Sequence, residues 1–241
     1  MPSAIQWLPY CGVAPAPTEW FARWNFDPIL LAIVALGLIA GRLISPERTA
    51  AHLASVLVIL LLFVSPFCAL GSALFTARAI HHIALALVLA PLLVNSLRLH
   101  EKRISLSLTQ LTVMQAGIFW AWHIPEFYSA ALSSDAVFWI MQMSLTASSA
   151  FWWARLRQSS ATVATGALLA TMVQMGALGA LLVFADRAYY APHVLTTHLW
   201  GLSPLEDQQI AGLIMWAPAS AVYLLAAMVV LYRSLAPVPA R

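Results

Sequence analysis

Residues 51–70 read AHLASVLVILLLFVSPFCAL, a 20-residue run that carries no Asp, Glu, Lys or Arg. A helix of this length spans about 30 Å, which is the thickness of the hydrocarbon core of a bilayer. Comparable apolar runs, separated by short polar connectors, occur at 28–44, 79–97, 104–123, 136–154, 161–184 and 209–232. The pattern predicts an all-α, polytopic membrane helix bundle of about seven transmembrane helices.

The composition indicates the same class of protein. Apolar residues make up 62% of the 241 residues and charged residues only 9%, whereas soluble domains carry roughly 25% charged residues. Because the predicted spans use nearly the whole chain, we expect no second, soluble domain. The net charge of +3 gives no indication of nucleic-acid binding. Residues 1–9 contain no Lys or Arg, so the N-terminal stretch does not resemble a signal peptide.

Basic residues are distributed unevenly between the two ends of the predicted spans. One set of ends holds Arg42, Arg48, Arg98, Lys102, Arg103, Arg155, Arg157, Arg233 and Arg241. The opposite ends hold only Arg23, Arg78 and Arg187. Since cytoplasmic ends are enriched in Lys and Arg, the split predicts an N-terminus outside and a C-terminus in the cytoplasm. The predicted units are an outer tail at 1–27, a seven-helix transmembrane domain at 28–233 and a cytoplasmic tail at 234–241.

Three prolines fall inside or near the ends of the predicted spans, at Pro66, Pro91 and Pro218. Each removes a backbone donor and tends to kink its helix, a defect that neighbouring helices must accommodate. Ordinary bundle geometry accounts for such kinks without any functional role.

The outer tail contains Trp7, Trp20 and Trp24, which are suited to anchor it at the membrane interface. The chain has two cysteines, Cys11 and Cys68, which lie far apart and do not form a CxxC pair. Their spacing alone therefore gives little information about redox chemistry.

Groups that can bind metal collect at the outer ends of the spans. They are His81, His82, His123, His193 and His198, with Cys68, Met141, Met143 and Met215. Sulfur ligands favour Cu(I), while imidazole also binds Cu(II), zinc and haem iron. Polar groups inside a membrane are costly and usually face the bundle interior. A one-sided collection of this kind predicts a metal site near the outer face.

Each candidate also has a purely structural interpretation. His81 and His82 are adjacent, so a helix directs them about 100° apart and one metal cannot easily bind both. Either histidine is equally suited to an interhelical hydrogen bond, and His123 is suited to an interfacial cap. A solvated loop is the simpler interpretation of His193 and His198. An acidic residue in a first helical turn is favoured by the helix dipole, which accounts for Asp207.

Three stretches carry a resemblance to a known family. Residues 207–216, DQQIAGLIMW, are similar to a DQQ-x-x-G-x-x-MW signature, and residues 122–128, WHIPEFY, with Ala130-Ala131-Leu132, are similar to a WH-x-P-x-x-Y…AL segment. His82, followed by APLL at 90–93, resembles a third-span H-x-x-Q-H stretch that runs into a Pro-containing helix. These motifs, with the Trp152-Trp153 pair, resemble CtaG-type cytochrome c oxidase assembly proteins, which are associated with caa-type oxidases. The resemblance covers roughly 78–233.

The resemblance implies a multi-span protein of the bacterial inner membrane that assists the maturation of haem–copper oxidases and is not an enzyme. It implies that copper is held transiently at the outer face, as in a metallochaperone. A site that must release its copper to a partner is expected to be shallow and low in coordination number. By position it implicates His82, His123 and Asp207 in metal binding, with Gln208 and Trp216 in supporting roles. We add His81 and Met141 as further candidate ligands of the same pocket. Its implied partners are oxidase subunits, the lipid bilayer and a protein that donates copper.

The chain departs from the family pattern at the third and fifth spans. Arg78 occupies the position of the first histidine of H-x-x-Q-H, and His81 occupies that of the glutamine. Arg78 lies one turn from His82, where its fixed positive charge opposes binding of a cation. Met141 and Met143 lie where the family carries histidines, an exchange that retains ligands for Cu(I) and weakens a Cu(II) or zinc site.

Other functions remain open at this point. One is a metal-free scaffold for oxidase assembly, and another is a haem-binding redox protein that uses His82 and His123 as axial ligands. A transporter is disfavoured because the spans have almost no ionisable residues at mid-depth. A retinal protein is excluded because the single lysine, Lys102, lies in a predicted cytoplasmic loop.

Overall fold

The computed structural model describes residues 9–235, which are predominantly helical and contain no β-strand. The α-helices are α1 Pro28–Ile44, α2 Thr49–Ile59, α3 Pro66–Ala73, α4 Phe75–Ala84, α5 Ala90–Ser96, α6 Leu108–Ala121, α7 Pro125–Ala131, α8 Asp135–Arg157, α9 Ala161–Val183, α10 Pro204–Ile214 and α11 Ser220–Leu235. The predicted anchor Trp7, the predicted cytoplasmic charge Arg241 and most of the predicted tail at 234–241 lie outside the described residues.

Each predicted apolar run is helical over most of its length. Four continuous helices are long and apolar enough to cross a membrane, at Pro46–Val64, Phe75–Ser96, Ala161–Val183 and Pro204–Leu235. The apolar helix α1 is shorter, at 17 residues. The 14 residues of α6 are shorter still, and α8 is long enough but carries Gln142 and several hydroxyl side chains that lower its hydropathy. The part of the chain that the structure describes is thus all-helical, with four helices suited to span a membrane.

π-helical segments end two residues before Pro66 and Pro91, and a third contains Pro218. These segments are Leu60–Val64, Leu85–Leu89 and Met215–Ala219. A proline ring collides with the carbonyl four residues earlier and cannot donate to it, and a wider π turn accommodates both defects.

The first of these prolines also breaks its span. Ser65 adopts an extended backbone and caps α3, because its side chain accepts a hydrogen bond from the Phe67 amide at 3.2 Å. The run at 51–70, predicted as one span, is therefore two helices. The long helix ends at Val64, and α3 begins at Pro66.

A disulfide bond fixes the N-terminal tail to the bundle. Cys11 pairs with Cys68 of α3, and the two Cα atoms are 5.3 Å apart. Next to it, the Tyr10 hydroxyl donates to the Asp27 carboxylate at 2.5 Å, and the Tyr10 ring stacks on Phe138 of α8 at 5.0 Å between centroids. The predicted outer tail is thus a folded cover over one end of the bundle.

The connectors at the other end are also tied together. Ion pairs link Arg48 to Glu101 at 3.5 Å and Arg98 to Glu47 at 3.4 Å. The Gln158 amide donates to the His100 carbonyl at 2.9 Å. Three connectors with predicted cytoplasmic charges therefore meet at one end of the bundle, away from the disulfide.

Candidate metal centre

His82 and His123 face each other inside the bundle near its disulfide-bonded end. His82 lies on α4, and His123 follows Trp122, which ends α6. Their ring centroids are 5.6 Å apart with the planes at 83°, and both side chains are buried. The pair that the sequence predicted as the centre of the site is thus brought together by the packing of α4 against the end of α6.

The hydrogen bonds of His123 fix its tautomer. Its Nδ1 lies 2.7 Å from the Phe119 carbonyl oxygen, which can only accept, so Nδ1 must carry the proton. The Nε2 atom then presents a lone pair, and it is buried without a hydrogen-bond partner in the described residues, as are both ring nitrogens of His82. A histidine oriented by a carbonyl on one nitrogen and free on the other is the usual arrangement of a metal ligand.

His81 points away from this pair. Its ring meets Phe63 edge-on at 4.9 Å and stacks on Phe67 at 6.1 Å. His82 and His81 have ring centroids 6.3 Å apart, which follows from the 100° step between adjacent helical residues. Within residues 9–235, no three side chains of His, Cys, Asp or Glu form a metal-binding group. The geometry therefore offers two imidazoles, with His81 held in an aromatic pocket beside them.

Met141 is fully buried on α8. Residues three apart share a helix face, so Met141 lies on the side of α8 that carries Phe138. The Arg78 guanidinium of α4 lies 5.3 Å from the Phe138 ring centroid, which shows that this side of α8 faces α4. Met141 is thus placed toward the helix that bears the histidines. Met143 is exposed on another side of α8.

Asp207 caps α4 from a different helix. Its carboxylate oxygens accept hydrogen bonds from the backbone amides of Phe75 at 2.6 Å and Thr76 at 3.1 Å, and the Thr76 hydroxyl donates to the Asp207 carbonyl at 2.8 Å. The residue before α4, Leu74, has no side chain that could do this. The start of α10 is capped separately by Ser203 and Glu206. Asp207 therefore positions the helix that carries His82.

Replacement of Asp207 by alanine is expected to lower the free energy of unfolding by about 1–3 kcal/mol, because two buried backbone amides lose a charged acceptor. Asp207→Asn keeps one acceptor oxygen and should show a smaller loss. Denaturation of the detergent-solubilised protein by SDS measures both. Equal stability of the alanine variant and the wild type would contradict the capping role.

The two glutamines after Asp207 hold the segment before α10. Gln208 Oε1 accepts from the Tyr189 amide at 2.7 Å, and its Nε2 donates to the Arg187 carbonyl at 3.3 Å. Gln209 donates to the Ala185 carbonyl at 3.5 Å. Trp216 packs against Gly179 of α9 and lies 5.7 Å from the Phe184 ring. The polar signature at 207–216 is thus used for packing and for fixing backbone.

The segment between α9 and α10 covers the histidine pair, which the sequence interpretation missed. The Tyr190 hydroxyl donates to the His123 carbonyl at 2.9 Å, and its ring stacks on Phe75 at 3.8 Å. The Tyr128 hydroxyl of α7 lies 2.6 Å from His193 Nε2. His193 is buried, so its assignment to a solvated loop was wrong, whereas His198 is exposed. Burial lowers the pKa of His193 to about 3, which keeps it neutral.

The expectation of a shallow site was also wrong. His82 is 1% exposed and His123 is 5% exposed, because the tail and the 184–203 segment fold over that end. A signal for this cover was present in the sequence. Residues 184–203 contain only two charged residues, Asp186 and Arg187, which is few for a solvated loop.

Comparison with known proteins gives one match. The family model described as cytochrome c oxidase caa3 assembly factor (Caa3_CtaG) matches residues 98–236, more than half of the chain. The match includes His123, Met141 and the signature at 207–216, and it begins after the histidines of α4. No curated protein and no solved structure matches the chain.

Proposed function

The chain belongs to the cytochrome c oxidase caa3 assembly factor family, and we propose that it assists oxidase maturation by holding copper transiently between His82 and His123. Copper is the cargo, and a nascent oxidase subunit in the same membrane is the acceptor. Met141 and His81 are the candidates for an additional ligand. Asp207 acts indirectly, because its carboxylate fixes the start of α4.

One observation carries this proposal. The His123 ring lies 5.6 Å from that of His82 and has an unprotonated Nε2, and neither that atom nor the two nitrogens of His82 has a hydrogen-bond partner in the described residues. Buried polar atoms without partners are destabilising unless a ligand engages them. Two imidazoles suit copper, and a low coordination number lets the ligands of an acceptor displace those of the carrier.

We further propose seven membrane spans, with the N-terminus outside and the C-terminus in the cytoplasm of a bacterial cell. Two independent features support this orientation. Basic residues are concentrated at the opposite end of the bundle from the tail. The Cys11–Cys68 disulfide at the tail end suits the oxidising side of a bacterial inner membrane. Copper would then enter and leave on the outer side.

Transfer requires the cover over the pair to open. Tyr190 and Phe75 close the site, through the hydrogen bond to the His123 carbonyl and the stacked rings. Tyr190, which makes both contacts, lies in the connecting segment between α9 and α10 rather than in a span. We propose that docking of an oxidase subunit displaces this segment and exposes the histidines.

Anaerobic titration with Cu(I) against a chromophoric chelator tests the proposal. The wild-type protein should bind about one copper ion per chain. Replacing both His82 and His123 by alanine removes the two ligands and should weaken the affinity by at least about 100-fold. His198→Ala is the matched control, because it removes an exposed histidine at the same end of the molecule. Unchanged binding by the double variant would refute the proposed site.

A metal-free scaffold is the second candidate, and Arg78 favours it. The guanidinium lies one turn from His82 and is fully buried, so its charge opposes a cation at the pair. Under this alternative, cells that carry only the His82→Ala/His123→Ala variant mature a fully active oxidase. Under the copper proposal, oxidase activity in those cells falls with the loss of copper binding.

Packing around His123 disfavours a haem-binding function. Phe119 stacks on the His123 ring at 4.9 Å, and Phe75 meets it edge-on at 6.3 Å. A macrocycle between the two histidines would have to displace these rings. A Soret absorbance in the purified protein would reverse this conclusion.

A further inference from the structure

Arg78 lies inside the bundle with its guanidinium enclosed by three helices. It is carried by α4 and is 0% exposed. Its Cζ lies 5.3 Å from the ring centroid of Phe138 on α8. On α3 it lies against Gly71, where a Cβ would come within 2.9 Å of Cζ. Glycine at this position leaves the room that the guanidinium occupies.

None of the three guanidinium nitrogens makes a well-formed hydrogen bond within residues 9–235, although the Tyr128 hydroxyl of α7 lies near the charge. All nine acidic residues of the chain fall within that stretch, and none of them lies within 4.0 Å of Arg78. Arginine does not lose its proton in proteins. The face of Phe138 offers only weak compensation for a buried charge. No acidic side chain therefore neutralises the guanidinium, which leaves its charge available to an anion.

Neutral side chains that can donate hydrogen bonds lie next to the residues that enclose the guanidinium. Ser72 follows Gly71, Gln142 lies one turn after Phe138, and His82 lies one turn after Arg78. All three are buried, and their side-chain polar atoms lack partners in the described residues. A fixed positive charge with neutral donors around it selects an anion. The burial of every member limits the ligand to a small one.

We propose that Arg78 holds a small inorganic anion of the halide class between α3, α4 and α8, with Ser72 and Gln142 as the additional donors. The anion neutralises the guanidinium and offsets part of the free-energy cost of removing this charge from water. The site is independent of copper. Where copper is bound, the anion also offsets the positive charge beside His82.

Thermal unfolding of the purified protein in chloride and in gluconate at equal ionic strength tests the proposal, since gluconate is too large for a buried site. Saturating chloride should raise the wild-type midpoint by about 3–6 °C, and bromide should act similarly. In Arg78→Met the shift disappears, and its midpoint in gluconate should exceed that of the wild type because no unpaired charge remains. Arg187→Met removes an exposed charge and should keep the full shift.

Direct binding of radioactive chloride gives a measurement that does not depend on the stability of a variant. The wild type should bind about one chloride per chain. Arg78→Lys should bind it more weakly, because a point charge replaces the planar fork of donors. The proposal is overturned if the wild type binds no chloride, or if Arg78→Met binds it as well as the wild type does.

Discussion

Substitution of Gly179 by leucine is expected to lower the free energy of unfolding by about 3 kcal/mol. A Cβ at Gly179 would lie 2.7 Å from the Gly212 carbonyl oxygen and 2.8 Å from the Trp216 amide nitrogen. A Cβ at Gly212 would likewise lie 2.7 Å from the Gly179 carbonyl oxygen. These neighbours are backbone atoms, so α9 and α10 can accommodate a side chain only by separating.

A control substitution for this prediction lies on the same helix. Gly166 of α9 has no atom within 4 Å of its Cβ direction and is exposed, so Gly166→Leu should leave stability nearly unchanged. Unfolding by SDS in detergent micelles measures both variants. Equal stabilities would show that the close approach of α9 and α10 does not limit the fold. Separation of the helices should also move Asp207 away from the start of α4 and so weaken copper binding.

Removal of the disulfide is expected to have the second large effect. Replacing both Cys11 and Cys68 by alanine frees a loop with a sequence separation of 57 residues. The chain-entropy model then gives a loss of about 4 kcal/mol. The tail would then be held to the bundle only by noncovalent contacts, such as the stacking of Tyr10 on Phe138. We therefore expect a large fall in the thermal midpoint, and greater access of solvent to the end of the bundle that holds the histidines.

Reduction of the wild-type protein provides the matched measurement. A membrane-permeant reductant should lower the wild-type midpoint to that of the double alanine variant and leave the variant unchanged. A thiol-reactive maleimide should label the wild type only after reduction, because Cys11 and Cys68 are both engaged in the bond. Labelling of the unreduced, folded protein would contradict the pairing.

Helix positions were the part of the fold that hydropathy predicted best. The run at 28–44 coincides with α1, and the run at 161–184 extends one residue beyond α9. Apolar runs and capping residues determine helices through local interactions, so they can be recognised in a single sequence. The run at 51–70 was misjudged because apolarity alone does not reveal the extended residue Ser65, which ends one helix and caps the next.

The placement of the candidate residues was predictable in part. The facing of His82 and His123 agrees with the motif-based pairing, since both residues lie at the ends of neighbouring spans. Contacts between distant segments were not predictable from spacing. Asp207 binds backbone 131 and 132 residues away, and Cys11 pairs across 57 residues. Such partners are chosen by tertiary packing, which leaves no periodic trace in the sequence.

The π-helical segments have a consequence for how relatives of this chain align. Each accommodates one residue more than an α-helix of the same rise, and an extra residue turns the rest of the helix by about 100°. A relative lacking one residue within Leu85–Leu89 would have a continuous α-helix there. The part of that helix that leads to the position of Ser96 would then be rotated relative to His82. Single-residue insertions and deletions inside these spans therefore belong at Leu60–Val64, Leu85–Leu89 and Met215–Ala219. An alignment that forbids gaps within apolar helices would pair the wrong residues on one side of each segment.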